Sequence, residues 1–200
     1  MTIQGITGEL PRITKRIICI SGFTQPRHGQ TGLSRVWMAL RAQHTSAICD
    51  VTLHPWNENW PAFVRHLLAT GPALPHQLDI RIIGYSWGVG HGAMTLCQLL
   101  RSEGVTVRRL VSCDGVYRSG WALWRSIWSP LLGTPVIQIP ANVERVDMIR
   151  QQRTIPRGHR LVPEQPLQTE IEDHGILQGY GHVDIDNSEK LLQMAQEAAA

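Results

Sequence analysis

Asp79-Ile80-Arg81-Ile82-Ile83-Gly84-Tyr85-Ser86-Trp87-Gly88-Val89 is the stretch on which the reading of this chain turns. Asp79 to Ile83 is short and β-branched, the pattern of a strand, and Val89 to Leu100 reads as a helix opened by small residues. Between them a serine stands with a glycine two residues before it and another two residues after it. A strand that reverses into a helix over so few residues leaves no room for a Cβ at either flanking position. The serine must accept a strained backbone that lifts its hydroxyl clear of the sheet. That is the geometry of a nucleophile elbow, with Ser86 as its nucleophile.

Working outward, Ile13 to Ile20 ends in a continuous apolar run that stops at Ser21-Gly22, as a strand buried on both faces would. Leu33 to Gln43 carries Leu33, Val36, Trp37 and Leu40 at helical spacing, Ala47 to Leu53 reads as a strand, and Trp60 to Ala69 as a helix with Phe63, Val64, Leu67 and Leu68 on one face. Val105 to Cys113 and Pro135 to Ile139 are further strands. Alternating strands and helices predict an α/β fold, a mostly parallel twisted sheet with helices on both faces. Asn142 to Gln152 reads as either a short helix or a strand with a polar edge. Arg153 to Gln168, with three prolines, reads as a loop, and Ile171 to Leu177 as an edge strand. Ser188 to Ala199 reads as a terminal helix, with Asp186 and Glu189 as its capping pair.

A chain of 200 residues suits one domain. Its hydrophobic fraction of 42% and charged fraction of 18% are those of a globular protein. No apolar run approaches the roughly 18 residues that cross a bilayer, and Met1 to Arg16 lacks the apolar core of a secretory signal, so a cytoplasmic location is expected. The net charge of +3 comes from scattered basic residues, a pattern that argues against nucleic-acid binding. Cys19, Cys49, Cys97 and Cys113 sit in apolar stretches without metal-ligand spacing, which predicts buried reduced thiols and neither a metal nor a cofactor.

A serine hydroxyl is a poor nucleophile near neutral pH, so the elbow needs a histidine to take its proton and an acid to orient that histidine. His182, in the glycine-bracketed loop Gly179-Tyr180-Gly181-His182-Val183-Asp184, is the candidate base. Asp114, directly after the strand that follows the elbow, is the candidate acid, because ligand sites on parallel sheets gather at the C-terminal ends of the strands. Asp147, inside Val146-Asp147-Met148-Ile149, is its competitor. The backbone N–H of Trp87 and one from the loop after the first strand, Phe23 before Thr24, are the expected oxyanion donors.

The strand ending Ile18-Cys19-Ile20-Ser21-Gly22-Phe23, the elbow at Ser86, Asp114 at a strand tip and the Gly181-His182 loop together resemble the α/β-hydrolase superfamily, in particular its small lipase-like and esterase-like members. The likeness runs in order along most of the chain, although the first loop lacks the His-Gly-Gly-Gly form of many esterases and Val143 to Gly175 matches no part of the pattern. It implies a serine hydrolase of carboxylic esters or thioesters acting through an acyl-enzyme on a small-molecule or lipid-like substrate. The same fold serves amidases and peptidases, and also binding or scaffold proteins without turnover. Trp121, Trp124, Ile127, Trp128 and Leu131 recur at helical spacing, a stripe that suits either a lid in contact with lipid or a helix packed on the sheet.

Overall fold

The computed structural model describes residues 12–23, 25, 30–117 and 136–200. The Trp121 to Trp128 stripe and Thr24 lie outside them.

Six strands form one parallel sheet in the order β2-β1-β3-β4-β6-β8: β1 Lys15–Ser21, β2 Cys49–Pro55, β3 Asp79–Tyr85, β4 Val107–Cys113, β6 Val143–Arg150 and β8 Glu170–Ile176. The alternation of side chains along β1 sorts the core into two layers. Ile18 and Ile20, with Ile80 and Ile82 of β3, face a layer built from α2 (Trp60–Thr70) and α3 (Met94–Ser102), whose Val64, Leu67, Leu96 and Leu100 are buried there. Ile17 and Cys19 face the opposite layer, built from α1 (Gly32–His44) and α4 (Glu189–Ala199) through Leu33, Val36, Leu40, Leu191, Met194 and Ala198. With both faces covered, the central strands can be apolar throughout, which is why they read as runs and not as alternations. The four cysteines are buried and free, and burial pushes the thiols of Cys19 and Cys97 up to about 12.

One feature decides between alternatives that the sequence left open, and two differ from its reading. Asn142 to Gln152 contains a full sheet strand, β6, in which Asp147 is buried because Arg109, Arg145 and His174 surround its carboxylate. The proline-rich stretch contains a strand, β7 (Arg160–Pro163), which pairs with β5 (Val136–Ile139) in a separate two-stranded parallel ribbon. The cap of α4 is Ser188, whose hydroxyl accepts from Leu191 N, while Asp186 turns away to another helix. Its carboxylate accepts from Leu33 N at the start of α1 and from Gln25 Nε2.

Candidate active site

The turn after β3 is as tight as its sequence requires. A Cβ on Gly84 would stand 2.9 Å from Val89 Cγ2, and one on Gly88 would stand 2.2 Å from the carbonyl oxygen of Ile20. Ser86 between them has φ +55°, a left-handed conformation that costs a residue with a side chain roughly 1–3 kcal/mol. The strain is held by backbone bonds on both sides. Ser86 N donates to Cys113 O at 3.0 Å, and Ser86 O accepts from Val89 N at 3.0 Å and Val116 N at 3.1 Å. The chain then leaves through one wide π-helical turn, Gly88–Ala93, before α3 begins, a departure from regular helix of the kind that collects at functional sites.

Three side chains meet above this turn. Ser86 Oγ is 2.8 Å from His182 Nε2, and His182 Nδ1 is 2.6 Å from Asp114 Oδ2. All three residues are buried, Asp114 completely. Asp114 occupies the tip of β4 with φ +46°, the other positive φ outside glycine among the described residues, and its N–H donates to Ile149 O at the end of β6. The structure thus brings Asp114, and not Asp147, to the imidazole. Asp147 sits within β6, paired in register with Val111 of β4: Arg109 Nε donates to it at 2.5 Å, and Arg145 and His174 complete its surroundings. Burial alone would raise its pKa, but the hydrogen bonds from Arg109 and His174 and the charges of Arg109 and Arg145 hold it below the usual aspartate value. Asp147, Glu172 and His174 also lie close enough together to suggest metal ligands, yet Arg145 donates to both carboxylates, so the guanidinium already supplies the positive charge a cation would bring.

Several residues that hold this arrangement have no local sequence pattern. Gln151, almost fully buried, donates from its backbone N–H to Asp114 Oδ1 and from Nε2 to Asp114 Oδ2, both at 3.1 Å. Its Nε2 also reaches the carbonyls of Thr154 and Pro156, and its Oε1 accepts from Thr154 N, so one amide ties residues 151–156 into a cradle for the carboxylate. Gly158 N donates to Asp114 Oδ1 at 2.9 Å, an approach only glycine permits, since a Cβ there would stand 2.3 Å from that oxygen. His182 is held by its backbone. Its N–H donates to Thr154 Oγ1 at 2.6 Å, its carbonyl accepts from the Tyr85 hydroxyl, and its ring stacks on Tyr85 with centroids 5.4 Å apart. Burial first, and then the negative charge of Asp186, pushes the Tyr85 hydroxyl up, so it stays a donor.

Phe23 and Trp87, whose N–H groups were the expected oxyanion donors, flank Ser86 and pack on each other with ring centroids 5.4 Å apart. Gly22 N donates to Gln25 Oε1, and Gln25 N to Gly22 O, closing the turn that carries Phe23. Beside His182 a cavity of about 250 Å³ opens, lined by Phe23, Gln25, Thr31, Tyr85, Val183 and Asp186 among others. Burial raises the Asp186 carboxyl against the lowering effect of the bonds from Gln25 and the α1 backbone.

No family model and no curated protein sequence matches the chain. Among solved structures it is similar to RedJ, a thioesterase from the prodiginine biosynthetic pathway of Streptomyces coelicolor, at 11% identity and a TM-score of 0.50, over 94% of this chain and 85% of the other. It is also similar to a structure of the metagenome-derived lipolytic enzymes LipS and LipT, at 10% identity and a TM-score of 0.52, over 94% of each chain. The fold is therefore of the α/β-hydrolase type.

Proposed function

We propose that this protein is a serine hydrolase that cleaves carboxylic ester or thioester bonds through an acyl-enzyme. The observation that carries this reading is the continuous relay from Ser86 Oγ to His182 Nε2 at 2.8 Å and from His182 Nδ1 to Asp114 Oδ2 at 2.6 Å. A hydroxyl, an imidazole and a carboxylate arranged in this way accept, transfer and return a proton.

Ser86 Oγ attacks the acyl carbon while its proton passes to His182 Nε2. The new Oγ–C bond turns the carbonyl oxygen into an oxyanion, which the N–H groups of Trp87 and Phe23 stabilise, each well-placed donor contributing roughly 3 kcal/mol. The C–O or C–S bond to the leaving group then breaks, and the departing oxygen or sulfur takes the proton back from His182. Water repeats the cycle: His182 removes its proton, the hydroxyl adds to the acyl carbon, and the acid leaves as Ser86 recovers the proton. Asp114 holds Nδ1–H and stabilises the imidazolium throughout.

Two measurements test this. Wild type should hydrolyse p-nitrophenyl acetate and be labelled by a fluorophosphonate, and Ser86→Ala should lose both. Labelling that survives in Ser86→Ala would remove Ser86 from the role. A folded wild type inert to esters, thioesters and phosphonates would favour a binding protein on a hydrolase fold.

A further inference from the structure

The order of strands in the sheet lays the site out along one rim. Moving across β2, β1, β3, β4 and β6, the residues just beyond the strand ends are Trp56, Phe23, Ser86 with Trp87, Asp114 and Gln151. Asp114 and Gln151 therefore lie on one side of Ser86 along the rim, and Phe23 and Trp56 lie on the other. Phe23, Trp56 and Trp87 form a closed triangle, with centroid separations of 5.4 Å between Phe23 and Trp87, 4.9 Å between Trp56 and Trp87, and 5.8 Å between Phe23 and Trp56. Their planes are inclined at 43°, 82° and 51°, so the rings meet faces to edges and not as a flat stack.

These rings are not hidden core. Phe23 is 57% exposed, and Trp56 and Trp87 are half-buried. Their backbone is nevertheless fixed. The Trp56 carbonyl accepts from Trp60 Nε1 at 3.2 Å, and Gly92 of the π-helical turn lies so close beneath it that a Cβ there would stand 3.2 Å from the Trp56 carbonyl oxygen and 3.3 Å from its Cα. Partly exposed aromatic faces beside a nucleophile offer a ligand both apolar area and directed ring contacts.

The chemistry of acyl transfer fixes which part of the ligand reaches it. The leaving atom must face His182, which returns its proton, so the acyl substituent extends to the opposite side of Ser86. Phe23 and Trp87 offer their N–H groups to the oxyanion, which places their side chains where that substituent emerges. The ring of His91 meets Trp56 edge-on, with centroids 5.4 Å apart, and extends the aromatic surface.

Resting on the hydrolase reading, we propose that the exposed faces of the Phe23–Trp56–Trp87 cluster form the acyl subsite and that they select flat, unsaturated acyl groups, aryl or arylalkyl, over saturated ones of the same size. Inclined rings reward a planar π-system through edge-to-face and offset contacts, beyond the area it buries. A saturated ring of equal bulk gains only the burial.

The test compares the p-nitrophenyl esters of phenylacetate and cyclohexylacetate, with the acetate ester as reference. Wild type should prefer phenylacetyl over cyclohexylacetyl in kcat/KM by roughly 3- to 10-fold, the range such ring contacts give. Trp56→Leu should bring that ratio close to one, and Trp56→Phe should keep part of it. Wild type that turns over the acetate with a phenylacetyl-to-cyclohexylacetyl ratio near one would overturn the subsite while leaving the hydrolase reading in place. So would a ratio unchanged in Trp56→Leu. Wild type that hydrolyses none of the three esters would overturn both. The wild-type ratio needs no variant to fold.

Discussion

Asp114 accepts from four donors: His182 Nδ1 and Gln151 Nε2 on one oxygen, and the N–H groups of Gln151 and Gly158 on the other. Every one of these groups donates, so Asp114→Asn would set an amide NH₂ against at least one N–H. The imidazole would turn to the tautomer that cannot take the serine proton. We expect kcat to fall by about 10⁴, as the same change does in a serine protease, and Asp147→Asn to leave the rate far less affected; ester turnover on both variants checks this. Gln151 is a positioning residue for the acid. Without its Nε2 donor, the carboxylate loses a contact that fixes Oδ2 beside the imidazole, so Gln151→Met should lower kcat and leave KM nearly unchanged. A residue that merely supports the fold would lower stability and leave kcat of the folded fraction in place. Ser86, His182 and Asp114 were legible in the sequence because each stands next to a pattern: glycines, a loop after the last strand, a strand tip. Gln151, Thr154 and Gly158 were not, because their role is fixed by contacts 28 to 44 positions away along the chain.

At the level of elements, what the sequence revealed depended on how each segment is buried. The strands β1, β3 and β4 are apolar because helices cover both faces, and α1, α2 and the terminal helix show their stripes plainly. The strand β6 escaped a clear reading because Arg145 and Asp147 interrupt its apolar pattern, and they are tolerated there only by pairing with β4, with each other and with His174 of β8. In the ribbon, β5 matches the strand read at Pro135 to Ile139, whereas β7 is four residues among prolines, too short for a period to appear. The terminal helix was read with Asp186 as its cap, but Ser188 holds the position while Asp186 serves α1. Ser188→Ala should therefore lower stability by about 1 kcal/mol, read as a shift in urea midpoint at constant slope. Gly88→Ala, which drives a methyl against the Ile20 carbonyl, should cost more and should also displace the elbow, so activity falls even where the variant remains folded.

Across the whole molecule, two buried carboxylates respond to acid in opposite directions. Asp147 is held below its usual pKa, so its contribution to stability is present above about pH 4 and is lost as the pH falls through the folded value. Asp186 is raised, so its contribution is present below about pH 4 and is lost as the pH rises through its folded value. Urea midpoints measured from pH 3 to 7 should show a shallower acid decline in Asp147→Asn and a flatter stretch above pH 4 in Asp186→Asn. Among the described residues no helix is long and apolar enough to cross a membrane. The two left-handed residues that present the hydroxyl and the carboxylate are stitched to each other's strands, Ser86 N to Cys113 O and Val116 N to Ser86 O. Opening either corner breaks a bond to the other. In deuterium solvent the amides of Ser86 and Val116 should exchange only when the entire sheet comes apart, so heat would silence the protein in one step at its melting temperature, with no earlier loss of activity in a still-folded state.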